Sequence, residues 1–315
     1  MQTVLFLILC LHSSNATELL AAYIGAVDAP SFAFAQVSGC NPAVGQAADG
    51  MPVTFDVAVD STTMAPDQFA IITPSNATLL PSCSTLEPAD GEDEGHTVLL
   101  TGDFVALDGA GQLLVTPERI EIIQSKQSGK RLKSKGGQDL TGLSTTVIRF
   151  GPNDGPRIAL AFWFPNKGPN GQVQTIWEGG ITAEGGEDIS DGMLQHFFLV
   201  DTIGNRMNPM SFEELGDGDN YVILNLPDNF DGRPERVEVD AGTVFDPMNY
   251  PNPANTTILV RDVAMEDTNG GNETDGHTYV NVCYENCCAS CLEGKYLTCC
   301  CVLFSNLLSQ EFYYV

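Results

Sequence analysis

The sequence predicts an all-β protein with two tandem antiparallel β-sandwich domains that arose by internal duplication. Short runs in which apolar and polar residues alternate, such as residues 53–59, are typical of half-buried strands. The 31 Gly and 18 Pro residues provide frequent turns, and charged residues make up only 17% of the chain. A series of such strands occurs twice in 315 residues, which favours two small domains over one large fold.

The duplication rests on stretches that recur in the same order, with two residues allowed for in an acidic loop. The matching stretches are 69–104 with 197–230, 117–122 with 234–239, and 145–148 with 256–259. The alignment predicts that Phe69 superposes on Phe197 and that Ile120 superposes on Val237.

The N-terminus has the pattern of a signal peptide. An apolar run at residues 4–11 is followed by small residues up to Ala16, and eight apolar residues are too few to span a bilayer as a helix. We therefore expect a secreted protein or one at the extracellular surface, without a transmembrane helix. The predicted segments are 1–16 (signal peptide), 17–49 (N-terminal segment), 50–150 (first sandwich), 151–262 (second sandwich) and 263–315 (linker and Cys-rich tail).

The net charge of −27, from 41 acidic and 14 basic residues, opposes binding to nucleic acid or to anionic membranes. Solubility in a salty medium is the simplest interpretation of the charge. Calcium binding is the alternative, with Asp217, Asp219 and Asp246 in acidic turns as candidate ligands at the interdomain edge. The spacing matches no EF-hand, and Asp and Asn are also ordinary turn residues, so we expect no cofactor at these turns and keep calcium as the alternative.

Two isolated cysteines, Cys40 and Cys83, are predicted to form a disulfide in an oxidising compartment. Seven more lie between residues 283 and 301 in the pattern C-x3-CC-x2-C-x7-CCC. We interpret them first as an anomalous or poorly ordered tail. Zinc binding, a disulfide knot and palmitoylation are the alternatives.

Glycosylation sequons in predicted loops begin at Asn76, Asn255 and Asn272. A further segment, residues 125–137, holds five of the 14 basic residues. A solvated hairpin tip is the favoured interpretation of this segment. The alternatives are a polyanion-binding finger, a dibasic processing site and an intramolecular partner for the acidic loops.

Residues 53–71, VTFDVAVDSTTMAPDQFAI, resemble the opening of bacterial Ig-like surface domains, in which a strand ending in Val-Asp is followed by Thr, Pro and a Phe-led strand. MPVTFDVAVD, HTVLLTGDF, DGDNY and AGTVFDP are similar to stretches of a family of secreted proteins with the same two-part layout and no established activity. The resemblance implies an Ig-like fold for both sandwiches. It implies no catalytic residues.

The sequence lacks GxSxG, HExxH, a P-loop and a GxGxxG at a strand-to-helix turn. His96 and His196 precede predicted strands and suit surface or core positions better than the role of a base. We therefore expect no catalytic or cofactor-binding residues. The favoured function is a secreted, non-enzymatic Ig-like surface or adhesion protein that binds an extracellular protein or glycan. The alternative is a secreted glycan hydrolase that uses a carboxylate pair.

Overall fold

A computed structural model describes residues 17–29, 40, 48–91, 93–107, 113–148, 155–213, 219–254 and 256–262. The described residues form β-strands and short 3-10 segments, and all of them belong to one compact unit. The prediction of an all-β fold is confirmed. The predicted signal peptide and Cys-rich tail lie outside the described residues.

The first repeat, residues 19–148, is a two-layer sandwich. Its strands are β1 (Leu19–Tyr23), β2 (Ala26–Ala29), β3 (Ala48–Phe55), β4 (Phe69–Ile72), β5 (Thr78–Leu79), β6 (Cys83–Thr85), β7 (Thr97–Gly102), β8 (Ala106–Leu107), β9 (Leu113–Val115), β10 (Arg119–Ile122) and β11 (Ser144–Ile148). One layer has the strand order β6-β7-β3-β1 and the other has the order β5-β4-β10-β11. The end of β11 also pairs in parallel with β1, which joins the layers at one side, and β2 pairs with β3.

The second repeat, residues 158–262, has the same arrangement. Its strands are β12 (Ile158–Phe164), β13 (Gln172–Trp177), β14 (Phe197–Asp201), β15 (Arg206–Met207), β16 (Ser211–Glu213), β17 (Tyr221–Asn225), β18 (Pro234–Val239), β19 (Thr256–Leu259) and β20 (Arg261–Asp262). Its layers have the orders β16-β17-β13-β12 and β15-β14-β18-β19, and β20 pairs in parallel with β12 as β11 does with β1. The 3-10 segments are Ser61–Thr63, Pro66–Gln68 and Asp191–His196.

The strand order in each repeat is that of an immunoglobulin-type sandwich. In chain order, the first, second, fifth and sixth main strands form one layer, and the third, fourth, seventh and eighth form the other, as strands A, B, D, E and C, C′, F, G do in Ig domains that have a strand C′. The parallel pairing of β1 with β11 closes one side of the sandwich. Both halves of the described chain therefore share one strand order.

The strand registers confirm the predicted correspondence of the two repeats. Ile120 lies opposite Ile71, two residues after Phe69, and Val237 lies opposite Leu199, two residues after Phe197. The first strand pair has an irregularity at the same place in both repeats, after Leu19 in β1 and after Ile158 in β12.

The third predicted match, of residues 145–148 with 256–259, is wrong by two residues. Thr145 lies opposite Ile120, whereas Ile258 lies opposite Val237, so Thr145 corresponds to Ile258. A shift of two residues along a strand keeps every side chain on its original face, so alternation alone cannot detect it. The sequence alignment matches Thr145-Thr146 with Thr256-Thr257, and these two pairs lie at different positions of the sheet.

A separate hydrophobic core lies between the layers of each repeat. Phe55 pairs with Leu19 in the first repeat, and Trp177 pairs with Ile158 in the second, so Trp177 takes the place of Phe55. Both aromatic side chains are fully buried. Trp177 donates its indole N–H to Thr175 Oγ1 (3.2 Å), which satisfies its polar group inside the core.

The chain before residue 50 contributes to the first sheet. β1 lies between β3 and β11, and β2 pairs with β3, so residues 19–29 of the predicted N-terminal segment are strands of the first repeat. Cys40 is disulfide-bonded to Cys83 on the edge strand β6, with a Cα–Cα distance of 5.9 Å. The predicted disulfide is confirmed, and it fixes the connection between β2 and β3 to the edge of this layer.

Replacing both Cys40 and Cys83 by Ser should lower the free energy of unfolding by about 4 kcal/mol, because the bond closes a loop of 43 residues whose freedom is restored in the unfolded chain. Urea denaturation of the oxidised wild type and the double variant measures the difference. An unchanged midpoint and slope would show that the bond does not constrain the unfolded state.

Candidate ligand-binding site

The strand β13 is buried along its whole length because both of its faces are covered. Val173 and Trp177 point into the core of the second repeat. Gln172, Gln174 and Ile176 alternate with them and lie on the opposite, outer face of the layer. This outer face contacts the first repeat at one end of the strand and borders a cavity at the other.

A third hydrophobic cluster joins the repeats at the first of these ends. Its buried members from the second repeat are Leu160, Phe162, Ile176 and Tyr221, and the first repeat contributes Ala89 and the half-buried Leu20. In β12, Ala161 packs in the core of the second repeat while Leu160 and Phe162 pack in this cluster, so the strand is covered on both faces.

Buried hydrogen bonds surround the cluster and cross between the repeats. They run from Tyr23 Oη to Asp246 Oδ2 (2.7 Å), from the His96 N–H to Tyr221 Oη (2.9 Å) and from Asn220 Nδ2 to Thr97 Oγ1 (3.0 Å). The side chains involved are at most 4% exposed. A different placement of the repeats that still buried these polar groups would leave them without partners, so the bonds favour one relative placement.

His96 is neutral in this contact. Burial lowers the pKa of its imidazole to about 4, its ring lies 5.0 Å from the Phe162 ring, and its Nδ1 lies 3.2 Å from the Phe55 carbonyl oxygen. Burial also raises the pKa of the Tyr221 phenol, which is therefore protonated. His196 lies on the surface beside Asp240. His96 thus lies in the contact between the repeats and His196 at the surface.

A cavity of about 310 Å³ opens beside the contact between the repeats. This volume is at the small end of the range for ligand pockets. The first repeat contributes the loop before β7, and the second contributes β12, β13, β16, β17 and the turn after β12. The lining residues are Gly91, Asp93, Glu94, Phe164, Lys167, Gly168, Gln172, Gln174, Glu213 and Ile223.

A network of amides fixes Glu213 at the cavity wall. Gln172 Nε2 donates to Glu213 Oε2 (2.5 Å) and to Asn225 Oδ1 (3.1 Å). Asn225 Nδ2 donates to Glu213 Oε1 (3.1 Å) and to Ser211 Oγ (2.9 Å). Both carboxylate oxygens of Glu213 therefore accept amide hydrogen bonds, while the residue itself is exposed.

Gln174 lies beside this network, but its side-chain oxygen takes no part in it. Its side chain is 2% exposed, and its Oε1 is buried without a hydrogen-bond partner among the described residues. An unpaired buried amide oxygen costs about 1–3 kcal/mol.

The cavity already holds one ammonium group at its rim. Lys167 Nζ is paired with the carboxylate of Asp93 and lies 4.9 Å from the centroid of the Phe164 ring. Glu94, 6% exposed, accepts a hydrogen bond from the Gly91 N–H on Oε2 (2.6 Å). Three carboxylates and one ammonium among the lining residues leave the cavity with a formal charge of −2.

The polar lining is specific to the second repeat. The registers place Gly50 where the second repeat has Gln172, Pro52 where it has Gln174, and Thr101 where it has Asn225. They also place Thr85 at the position of Glu213 and Cys83 at that of Ser211. Sequence analysis missed this site. One signal for it was present in the sequence. Gly50 and Pro52 of β3 correspond to Gln172 and Gln174 of β13, which indicates a polar outer face in the second repeat.

The candidate calcium ligands are engaged in other contacts. Asp219 Oδ1 accepts the Tyr221 N–H (2.7 Å), and Asp246 accepts the Tyr23 phenol and the Tyr250 N–H (2.7 Å each). Asp217 lies outside the described residues. Across those residues no group of three or more His, Cys, Asp or Glu side chains is arranged to hold a metal ion.

Asn76, the first predicted glycosylation site, lies exposed on the turn between β4 and β5, with a φ of 59°. Asn255 and Asn272 lie outside the described residues. The basic residues of the segment 125–137 are exposed, and Arg131 pairs with Asp139 (2.6 Å) while Lys135 Nζ lies 3.4 Å from the Glu94 carbonyl oxygen. This agrees with the favoured interpretation of a solvated hairpin.

No family model and no curated protein matches the chain. Solved structures that match in part include the N-terminal part of the bacterial S-layer protein SbsC, with 14% identity over 78% of this chain and 44% of that one and a TM-score of 0.24. The S-layer protein rSbsC(31-844) matches with 16% identity over 78% of this chain and 26% of that one, with a TM-score of 0.25. This chain thus spans less than half the length of either, and TM-scores of this size do not indicate a common fold.

Among the described residues, no helix has the length and apolar character needed to cross a membrane.

The pKa of Glu178, directly after β13, is shifted upwards, whereas that of His96 is shifted downwards. Burial raises the pKa of its carboxyl to about 7, against the opposing effect of Arg157 at 3.9 Å. The folded pKa of Glu178 exceeds the ordinary value of 4.5, so its contribution to stability is present below pH 4.5 and is lost as the pH rises through 7. His96 has a folded pKa of about 4, below the ordinary value of 6.5, so its contribution is present above pH 6.5 and is lost as the pH falls through 4.

Because each shift corresponds to about 3 kcal/mol, the two contributions should offset each other between pH 4.5 and 6.5 in the wild type. Relative to the wild type, Glu178→Gln should lose about 3 kcal/mol of stability as the pH falls from 7 to 4, and His96→Gln should gain about as much. Urea denaturation across this range measures both. Variants that keep the wild-type pH profile would contradict the burial of these groups.

Proposed function

We propose that this protein is a non-enzymatic surface or adhesion protein that acts outside the cell and binds its ligand in the cavity between the repeats. The observation that carries the proposal is the buried, unpartnered Oε1 of Gln174 in a polar cavity of about 310 Å³. The buried contact between the repeats supports it, because a preorganised wall reduces the entropy lost on binding. The predicted signal peptide supports an extracellular location.

The carboxylates of the cavity are the observation that favours the alternative, a secreted glycan hydrolase. Glycoside hydrolysis needs one protonated carboxyl as the acid and a second carboxylate as the base or nucleophile. Glu213 accepts amide hydrogen bonds on both oxygens, and Glu94 accepts one from a backbone N–H. Both side chains are held as acceptors of hydrogen bonds from the chain itself, so we favour binding over hydrolysis.

A glycan array and a panel of extracellular proteins, assayed beside a panel of glycosidase substrates, should yield a retained ligand without turnover. Gln174→Leu should weaken its binding about tenfold, because the variant removes a buried hydrogen-bonding group from the cavity. Gln127→Leu makes the same change on the exposed hairpin and should have no effect. Turnover that disappears in Glu213→Gln would establish the hydrolase instead, and binding that is indifferent to Gln174→Leu would place the ligand elsewhere.

A further inference from the structure

The central hydrogen bonds of the contact between the repeats join equivalent positions in exchanged order. Thr97 of β7 and Tyr221 of β17 are equivalent, because each lies opposite the residue that precedes the large aromatic residue of its own core. His96 and Asn220 directly precede them and are equivalent as well. The His96 N–H donates to Tyr221 Oη (2.9 Å), and Asn220 Nδ2 donates to Thr97 Oγ1 (3.0 Å). Each repeat therefore uses the first of these two positions to bond the second position of the other repeat.

Two equivalent positions also contact each other. The hydroxyl of Thr97 is a hydrogen-bond partner of the phenol of Tyr221. In a contact with twofold symmetry, a residue on the axis meets its own equivalent, and each contact of residue i with residue j is matched by one of j with i. These hydrogen bonds therefore define an approximate twofold axis between the repeats, which passes close to Thr97 and Tyr221.

Each repeat holds its half of the contact in the same way. His96 Nδ1 lies 3.2 Å from the carbonyl oxygen of Phe55, and Asn220 Nδ2 lies 2.5 Å from that of Trp177. In return, the N–H groups of the two aromatic residues donate to the carbonyl oxygens of His96 and Asn220, at 2.8 Å in both repeats. The polar groups of the contact are thus positioned inside each sandwich.

The same arrangement on both sides indicates where the contact came from. A contact that formed only after the repeats were joined has no reason to use equivalent positions reciprocally, whereas the contact of a homodimer uses them by necessity. The two sides have since become specific for each other, because the short Thr97 on one side of the axis is matched with the long Tyr221 on the other.

We infer that this contact is a dimerisation surface now closed within one chain, and that a second copy of the chain binds to it when the repeats of each copy are prevented from docking on each other. The first repeat of one copy then pairs with the second repeat of the other. In the wild type the linked repeat competes at an effective concentration of about millimolar, which keeps the folded chain monomeric. The inference goes beyond the proposed function, because the residues of these hydrogen bonds do not line the cavity.

Single substitutions can remove this dimerisation surface from one repeat at a time. Thr97 and Tyr221 are 3% and 4% exposed, and the charges of Glu94 and Asp219 act at the Tyr221 phenol. A further carboxylate would be buried beside these like charges, so Thr97→Glu and Tyr221→Glu should each separate the repeats. Neither position belongs to the core of its own sandwich, so both sandwiches should stay folded.

The test mixes the two full-length variants and measures their mass by size-exclusion chromatography with light scattering. Thr97→Glu keeps the surface of the second repeat, and Tyr221→Glu keeps that of the first. We therefore expect a species of twice the chain mass, whose fraction rises with protein concentration. Each variant alone, the double variant and Thr146→Glu, the same change at an exposed position, should remain monomeric.

Monomers in the mixture of folded variants would overturn the inference. Dimers of either variant alone would also overturn it, since they would show association through another surface. Circular dichroism verifies that each variant is folded, and calorimetry verifies that its two sandwiches unfold separately. Should a variant fail either check, refolding of the wild type from urea decides. Dimers whose fraction rises towards millimolar protein would support the inference, and monomers at every concentration would overturn it.

Discussion

The hydrogen bond from the His96 N–H to the Tyr221 phenol is the interaction on which the arrangement of the two repeats depends. It lies in a region from which water is removed, so each partner needs the other. His96 stands at the start of β7, directly after the loop that carries Asp93 and Glu94. Fixing His96 against the outer face of the second repeat therefore also fixes these carboxylates over Gln172 and Gln174, and the cavity follows from the contact.

Duplication followed by local divergence explains why only one repeat contributes the polar wall. The same layer in the first repeat has Gly50 and Pro52 in place of the two glutamines, and its edge strand carries Cys83, which holds Cys40. Each core has a large buried aromatic residue at the same position, Phe55 in the first repeat and Trp177 in the second. The residues on the outer faces of the same strands differ. One outer face was used for a disulfide-tethered connection and the other for a cavity.

The fold could be predicted from the sequence because its signals are local. Alternation along a strand and frequent turns depend on near neighbours, and a duplicated order of strands repeats them in Phe69 and Phe197. The match of Thr145 failed because a two-residue slip leaves the alternation intact. The cavity could not be predicted, since Asp93, Phe164 and Glu213 meet only after two sandwiches have folded and docked. A pattern of neighbouring residues does not show which side chains from distant parts of the chain lie together.

Differential scanning calorimetry of the full-length chain tests most directly whether the repeats form one unit through their buried contact. The account predicts that both sandwiches unfold in a single transition whose calorimetric enthalpy equals its van't Hoff enthalpy, because unfolding either one would expose the apolar cluster between the repeats and break the buried hydrogen bonds that join them. Two separable transitions, one for each sandwich, would contradict the account and would leave the cavity without a fixed wall.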